Sequence, residues 1–354
     1  MATANLNFGT TVTLKQAATL IAQVPENRFL LQGEPGIGKT ALLDTLKTML
    51  PNHETAYVDV PNLDLGDICM PVVKHETKTT TYYPNERFKI HLDKPCIILL
   101  DEFTKGSEPV KNMLHPMLNE GRLGDVMLHP ETIVFLTGNL GSDGVGDLLR
   151  AHSRNRITTL TIRKPSAEEW INWGIDHNIA EELLAFAHQY PHCFASYLDP
   201  AQNDNPYIYQ PKKNQTAFFS PRSAAKASNI VKARKALDTD SVIAALSGTC
   251  GESFARDFQA YLEFSDQLPS KEAVLKNPTS APIPTSPAAQ SIIVFGAISW
   301  IEKATMPVFL KYLQRFPVEW QAVFAVNVAK SSKQSIAFTC KEFSGWVTAH
   351  QHLF

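Results

Sequence analysis

Lys39 and Thr40 close a glycine-rich loop, Gly33-Glu34-Pro35-Gly36-Ile37-Gly38-Lys39-Thr40, that follows a short apolar run and opens onto a helix-forming one. These residue types suit one task in combination. Glycines let backbone N–H groups approach an anion closely, lysine adds a positive charge, and a threonine hydroxyl is a hard oxygen ligand for a small divalent cation. The spacing matches G-x-x-x-x-G-K-[ST], a loop that cradles the phosphates of a nucleoside triphosphate. On this pattern residues Gly33 to Thr40, with Ala41 after them, hold ATP. Lys39 reaches the β- and γ-phosphates and Thr40 ligates Mg²⁺.

Two further polar groups sit at the ends of apolar runs. "CIILLDE" ends in Asp101 and Glu102. In that position Asp101 is expected to hold the Mg²⁺, directly or through water. Glu102 is expected to polarise the attacking water as general base. "VFLTGNL" ends in Asn139, placed in chain order to position that water. "LLRAHSRNRITTLTI" supplies Arg150, Arg154 and Arg156 before a last strand. In a ring, an arginine here can reach the neighbouring subunit's γ-phosphate and stabilise transition-state charge. Arg156 is the first choice and Arg154 the second. Arg222, in "FFSPRSAAKAS", stands near a helix start where domain closure would let it sense the phosphates.

The elements that must carry these groups follow from periodicity. "VTLKQAATLIAQV" has helical spacing, "RFLLQ" is a buried strand, and "TALLDTLKTML" is a helix stopped by Pro51. "TAYVDV" follows as a second strand, and residues 61–95 read as an insertion containing a β-hairpin. "KPCIILLDEF", "ETIVFLTGNL" and "RITTLTIRKP" are further strands, the first two apolar enough to be buried on both faces. Strands interleaved with helices imply an α/β fold, a parallel sheet sandwiched by helices. The expected organisation is a nucleotide-binding α/β domain over 1–164 and a helical lid domain over 165–248. A helix and Pro-rich linker over 249–289 and a mainly helical C-terminal extension over 290–354 complete it.

Composition narrows the class. With 44% hydrophobic and 19% charged residues, the chain is an ordinary globular protein. A formal net charge of −2 gives no global case for a nucleic-acid or membrane partner. The five cysteines are scattered without C-x-x-C pairs, which argues for reduced, mostly buried thiols. The histidines, among them His115, His129, His152 and His192, show no metal-ligand spacing. Neither a signal-peptide pattern at the first residues nor a membrane-spanning run is seen, so a cytoplasmic location is expected.

The order GEPGIGKT, IILLDE, TGN, SRNRI and SPRSA resembles the AAA+ ATPases, and within them the MoxR-like branch, from about Val12 to Gly248. The resemblance places Lys39 and Thr40 in Walker A, Asp101 and Glu102 in Walker B, Asn139 at sensor 1, Arg156 at the arginine finger and Arg222 at sensor 2. It makes residues 61–95 a pore-side insertion and "NEGRLGDVMLHPET" the hairpin before sensor 1. Asn155-Arg156-Ile157 departs from the Asp-Arg-Phe frequent at the finger, and the branch's repositioned lid leaves Arg222 acting either in its own subunit or across an interface.

The resemblance implies a homo-oligomeric ring, usually a hexamer, in which ATP hydrolysis remodels a protein client, commonly with a partner bearing a von Willebrand factor A domain. The alternative is an AAA+ motor or loader acting on nucleic acid. Its support is the modest basic set Lys74, Lys78, Arg87 and Lys89 in the insertion.

Overall fold

The computed structural model describes residues 10–140, 156–265 and 268–351. Arg150 and Arg154 lie outside the described residues. The chain divides into two compact units, Met1–Lys164 and Pro165–Phe354.

The first unit is a sheet between helices. Helix α1 (Leu14–Gln23) opens on a capping box in which Thr13 accepts from the Gln16 N–H and Gln16 accepts from the Thr13 N–H. Then come β1 (Phe29–Gln32), α2 (Leu42–Met49), β2 (Glu54–Asp59) and a hairpin of β3 (Cys69–Lys74) and β4 (Thr79–Pro84). They are followed by β5 (Cys96–Asp101), α3 (Glu108–Asn119), the short hairpin β6 (Arg122–Leu123) and β7 (Val126–Met127), β8 (Ile133–Gly138) and β9 (Thr158–Thr161). Five strands form a sheet in the order β2-β5-β8-β1-β9, every pair parallel.

Alternation along the strands divides the core between the two faces. Phe29, Leu31, Ile97, Leu99, Ile133 and Phe135 pack with Ala17, Ala18 and Ile21 of α1 and Leu42 and Leu46 of α2. Leu30, Ile98, Leu100, Val134 and Leu136 pack on the other face with Val110, Leu114 and Met117 of α3. The insertion anchors into that second face through Ile68, Phe88 and Ile90. Its hairpin is tied to the β6–β7 hairpin by a reciprocal pair: the Tyr82 N–H donates to the Asp125 carboxylate at 2.7 Å and the Asp125 N–H to the Tyr82 carbonyl at 2.9 Å.

The second unit is helical and shares one continuous core from Ala167 to Phe343, so the segments 165–248, 249–289 and 290–354 pack as one body. Helices α4 (Ala167–Asp176), α5 (Glu181–Gln189), α6 (Pro221–Ala233), α7 (Thr239–Cys250) and α8 (Glu252–Ser265) come first. The Pro-rich stretch holds a short helix, α9 (Lys271–Lys276), and then α10 (Pro287–Trp300) begins. Prolines leave carbonyls without matching N–H donors. Side chains take them: the Tyr312 hydroxyl donates to the Pro282 carbonyl at 2.6 Å, and Arg315 donates to the carbonyls of Pro278 and Ala281, each at 2.9 Å. The tail aromatics Phe309, Tyr312 and Phe324 are fully buried core. None of the cysteines forms a disulfide, and no helix among the described residues is long and apolar enough to cross a membrane.

One carboxylate in this unit is costly. Glu181 packs beneath α10, where a Cβ added to Gly296 would lie 2.5 Å from its Oε2. Burial, followed by the neighbouring Glu182 charge, pushes its pKa up to about 7 against the pull of Arg234 and Lys235. Glu182 itself is compensated by an ion pair to Arg234 at 2.8 Å. An acid whose folded pKa is raised keeps its full stability below the unfolded value of 4.5 and loses it as pH rises through about 7. The loss amounts to about 3 kcal/mol at most. Glu181→Gln is expected to be as stable as wild type below about pH 4.5 and more stable by a margin that grows from there to about pH 7 and then holds level, read from denaturant midpoints across that range. Parallel pH curves for the two proteins would contradict this.

Candidate functional site

The chemistry-bearing residues gather at the carboxyl ends of three adjacent strands. In the sheet β8 lies between β1 and β5. The glycine loop leaves β1, Asp101 ends β5 with Glu102 next, and Asn139 follows β8. Register fixes their level, with Gln32 beside Gly138 and Leu100 beside Leu136. A site outside the carboxyl ends of parallel strands is where α/β sheets bind ligands.

The loop depends on its glycines. At Gly33 an added Cβ would lie 2.7 Å from the Ile37 side chain and 2.8 Å from the Ile162 carbonyl. Gly36 and Gly38 have φ of 74° and 103°, a backbone that other residues rarely adopt. Lys39 is buried, and its ammonium donates to the carbonyls of Gly33 at 2.7 Å and Glu34 at 2.9 Å. Before α2 the chain tightens, with the N–H groups of Ala41 and Leu42 bonding back three residues to Gly38 and Lys39. The helix therefore starts two residues later than periodicity suggested.

Asp101 is a meeting point for hydroxyls. Thr137 Oγ1 donates to Asp101 Oδ1, the Tyr57 hydroxyl donates to Oδ2 at 3.0 Å, and Thr40 Oγ1 lies 3.4 Å from both oxygens. Hydroxyl and carboxylate oxygens alone are hard donors of the kind Mg²⁺ takes, usually with phosphate and water completing the shell. The Thr40–Asp101 pair fits that ion by donor chemistry. Among the described residues no three His, Cys, Asp or Glu gather to hold a metal by themselves. Glu102 has left-handed backbone, with φ 50° and ψ 36°, and its side chain turns outward to pair with Lys105 at 2.7 Å.

Arg156 lies on the other side of the sheet's length. It is exposed and precedes β9, which runs parallel to β1 with Thr158 beside Phe29. Four residues of strand rise, roughly 13 Å, separate that level from Gly33, and Arg156 precedes Thr158 by two residues at the far end of the strand. The fold thus brings Lys39, Thr40, Asp101, Glu102 and Asn139 together and leaves Arg156 far from them. Arg222 is the second residue of α6 and exposed, behind the Ser220 cap. In the insertion Arg87 pairs with Asp67 at 2.8 Å, which reduces the basic set.

Sequence inspection missed Tyr57, Thr137 and Lys105. Tyrosine and threonine in a strand read as ordinary β-formers. Thr137 nevertheless stands out as the polar residue inside the apolar run "IVFLTG", two positions before Asn139.

Residues 28–141 match the family model described as AAA domain (dynein-related subfamily). The ClpB chaperone protein of Bacillus cereus is 28% identical over 195 residues, covering 45% of this chain and 22% of that protein. The ClpB chaperone protein of Dichelobacter nodosus is 30% identical over 183 residues, covering 47% and 20%. The chain thus spans about a fifth of the length of these curated relatives. Among solved structures, the Thermotoga maritima RuvB Holliday junction branch migration motor aligns over 84% of this chain and 86% of that one, at 15% identity and a TM-score of 0.35. The family match falls on the α/β unit, over the segment that carries β1 to β8 and the motifs from Gly33 to Asn139.

The hydroxyl seat carries a titration signature. Burial and then the charge of Asp101 push the Tyr57 pKa up to about 12, so it remains a donor to Asp101 well past its ordinary value of 10. In Asp101→Asn that charge is gone, while partial desolvation and the smaller contributions of Asp59 and Glu102 remain. Tyr57 is then expected to begin ionising at lower pH than in wild type, followed by NMR of ring-labelled tyrosine with Tyr57→Phe for assignment. Identical Tyr57 titrations in the two proteins would contradict the hydroxyl–carboxylate contact.

Proposed function

We propose that this sheet edge binds Mg-ATP and hydrolyses it. The observation that carries the proposal is the convergence of the Lys39-Thr40 loop, the Asp101-Glu102 strand end and Asn139 on three neighbouring strands. Lys39 would exchange its loop carbonyls for the β- and γ-phosphates, and loop N–H groups would bond their oxygens. Thr40 and Asp101 would hold Mg²⁺, which when bound neutralises charge developing on the phosphates.

Glu102 would take a proton from water as the water oxygen bonds to the γ-phosphorus. The bond to the β–γ bridging oxygen breaks and its electron pair leaves with ADP. Asn139 would orient that water. For this Glu102 must leave Lys105. The side chains of that pair are 42% and 29% exposed, so releasing it costs about 0–1 kcal/mol.

Arg156 stands too far from its own loop to serve it, which supports a role toward a neighbour's γ-phosphate in a ring, usually a hexamer. Arg222 on the helical unit is the further candidate sensor. Similarity to ClpB chaperones over a little under half of the chain favours remodelling of a protein client over action on nucleic acid, and the MoxR-like motif order adds a von Willebrand factor A domain protein as the partner in that work.

Steady-state ATP hydrolysis per subunit is expected to climb cooperatively with protein concentration. Glu102→Gln should bind ATP yet lose turnover by about 10²–10⁴-fold. Arg156→Ala mixed into wild type should depress the rate beyond simple dilution. A rate independent of concentration and indifferent to the mixed variant would rule out the shared site, and strong stimulation by DNA would overturn the protein-client assignment.

A further inference from the structure

The pairing of β5 with β8 runs from Ile97 beside Ile133 to Leu100 beside Leu136, although β8 continues to Gly138. Beyond that point a side chain replaces the ladder. The Glu102 N–H donates to Thr137 Oγ1 at 2.9 Å, and the same hydroxyl spends its one proton on Asp101 Oδ1. Thr137 is 1% exposed, so water does not substitute for either contact. Glu102 takes a left-handed backbone at this bond, a conformation that a non-glycine residue keeps only when its surroundings over-determine it.

We propose that Thr137 is the positioning residue of the site, its single hydroxyl fixing the orientation of the metal-side carboxylate and the backbone of the adjacent general base together. This rests on the hydrolytic function proposed above and names a residue through which it is organised. Asp101 and Glu102 need different things from their surroundings. The first must present its oxygens at a constant angle, and the second must swing a side chain from Lys105 toward water while its backbone holds still. One buried hydroxyl bonded to both residues meets the two needs. Thr137 also sits two residues before Asn139 on β8, so a displacement of that strand end moves the clamp and with it both carboxylates.

Thr137→Val keeps the shape and removes the hydroxyl, and Thr137→Ser restores it. In Thr137→Val, kcat is expected to fall roughly tenfold to a hundredfold, while affinity for ATP without metal stays within about twofold. Mn²⁺, titrated calorimetrically into the complex with a non-hydrolysable ATP analogue, should bind several-fold more weakly. Thr137→Ser should recover most of both losses. If Thr137→Val does not fold, Thr137→Ala carries the same readouts.

Wild-type kcat and Mn²⁺ affinity in the hydroxyl-free variant would overturn the proposal. So would a serine variant as impaired as the valine one, since packing of the methyl group would then be the cause. The Mn²⁺ titration does not need turnover. A wild type that binds metal and nucleotide without hydrolysing them would defeat the proposed function, and the metal affinities would still decide the clamp.

Discussion

The parallel pairing of β1 with β8, and of β8 with β5, is the constraint from which the site follows. Parallel neighbours are joined by long crossovers, so residues remote in the chain meet at the strands' carboxyl ends. The glycine loop, the paired carboxylates and Asn139 are brought level because the central strands are apolar on both faces and their register is held by two cores at once. A slip of one residue would exchange the faces of every buried side chain. Threonine hydroxyls bracket the β5–β8 pair. Thr132 accepts from the Cys96 N–H at 3.3 Å where the pair begins, and Thr137 accepts from the Glu102 N–H where it ends.

The adjacent acids at the end of β5 have different surroundings, and the difference suits the two roles proposed for them. Asp101 is held from below by the hydroxyls of Thr137 and Tyr57 and faces Thr40, an oxygen-rich seat that resists rotation. Glu102 is turned to the surface by its left-handed backbone and balanced by Lys105. A metal ligand benefits from rigidity, whereas a base that must reach a water molecule benefits from a partner it can leave. Lys39 is likewise satisfied, by the carbonyls of Gly33 and Glu34.

The fold and the five residues at the sheet edge were legible because the signals were local. Continuous apolar runs ending in Asp-Glu or Asn announce buried parallel strands, and the loop pattern is defined by glycines whose φ values and close contacts have no substitute. The clamp residues were not legible in the same way. Tyr57 and Thr137 have the composition of strand interior, and only the pairing of β2 and β8 on either side of β5 puts their hydroxyls on one carboxylate. The distance of Arg156 from its own loop depends on strand direction, a tertiary property that residue type cannot report. In the helical unit the Pro-rich run had no periodicity to read, and its order comes from Tyr312 and Arg315, more than thirty positions away from some of the carbonyls they hold.

The most direct test of the sheet edge as a nucleotide site is a calorimetric titration of ATP into the full chain, with and without Mg²⁺, for wild type and Lys39→Ala. One site per chain, tightened by Mg²⁺ and abolished or severely weakened in the lysine variant, is the expected result. An absence of binding, or equal binding by both proteins, would mean that the loop, the carboxylates and Asn139 converge for some purpose other than holding a triphosphate.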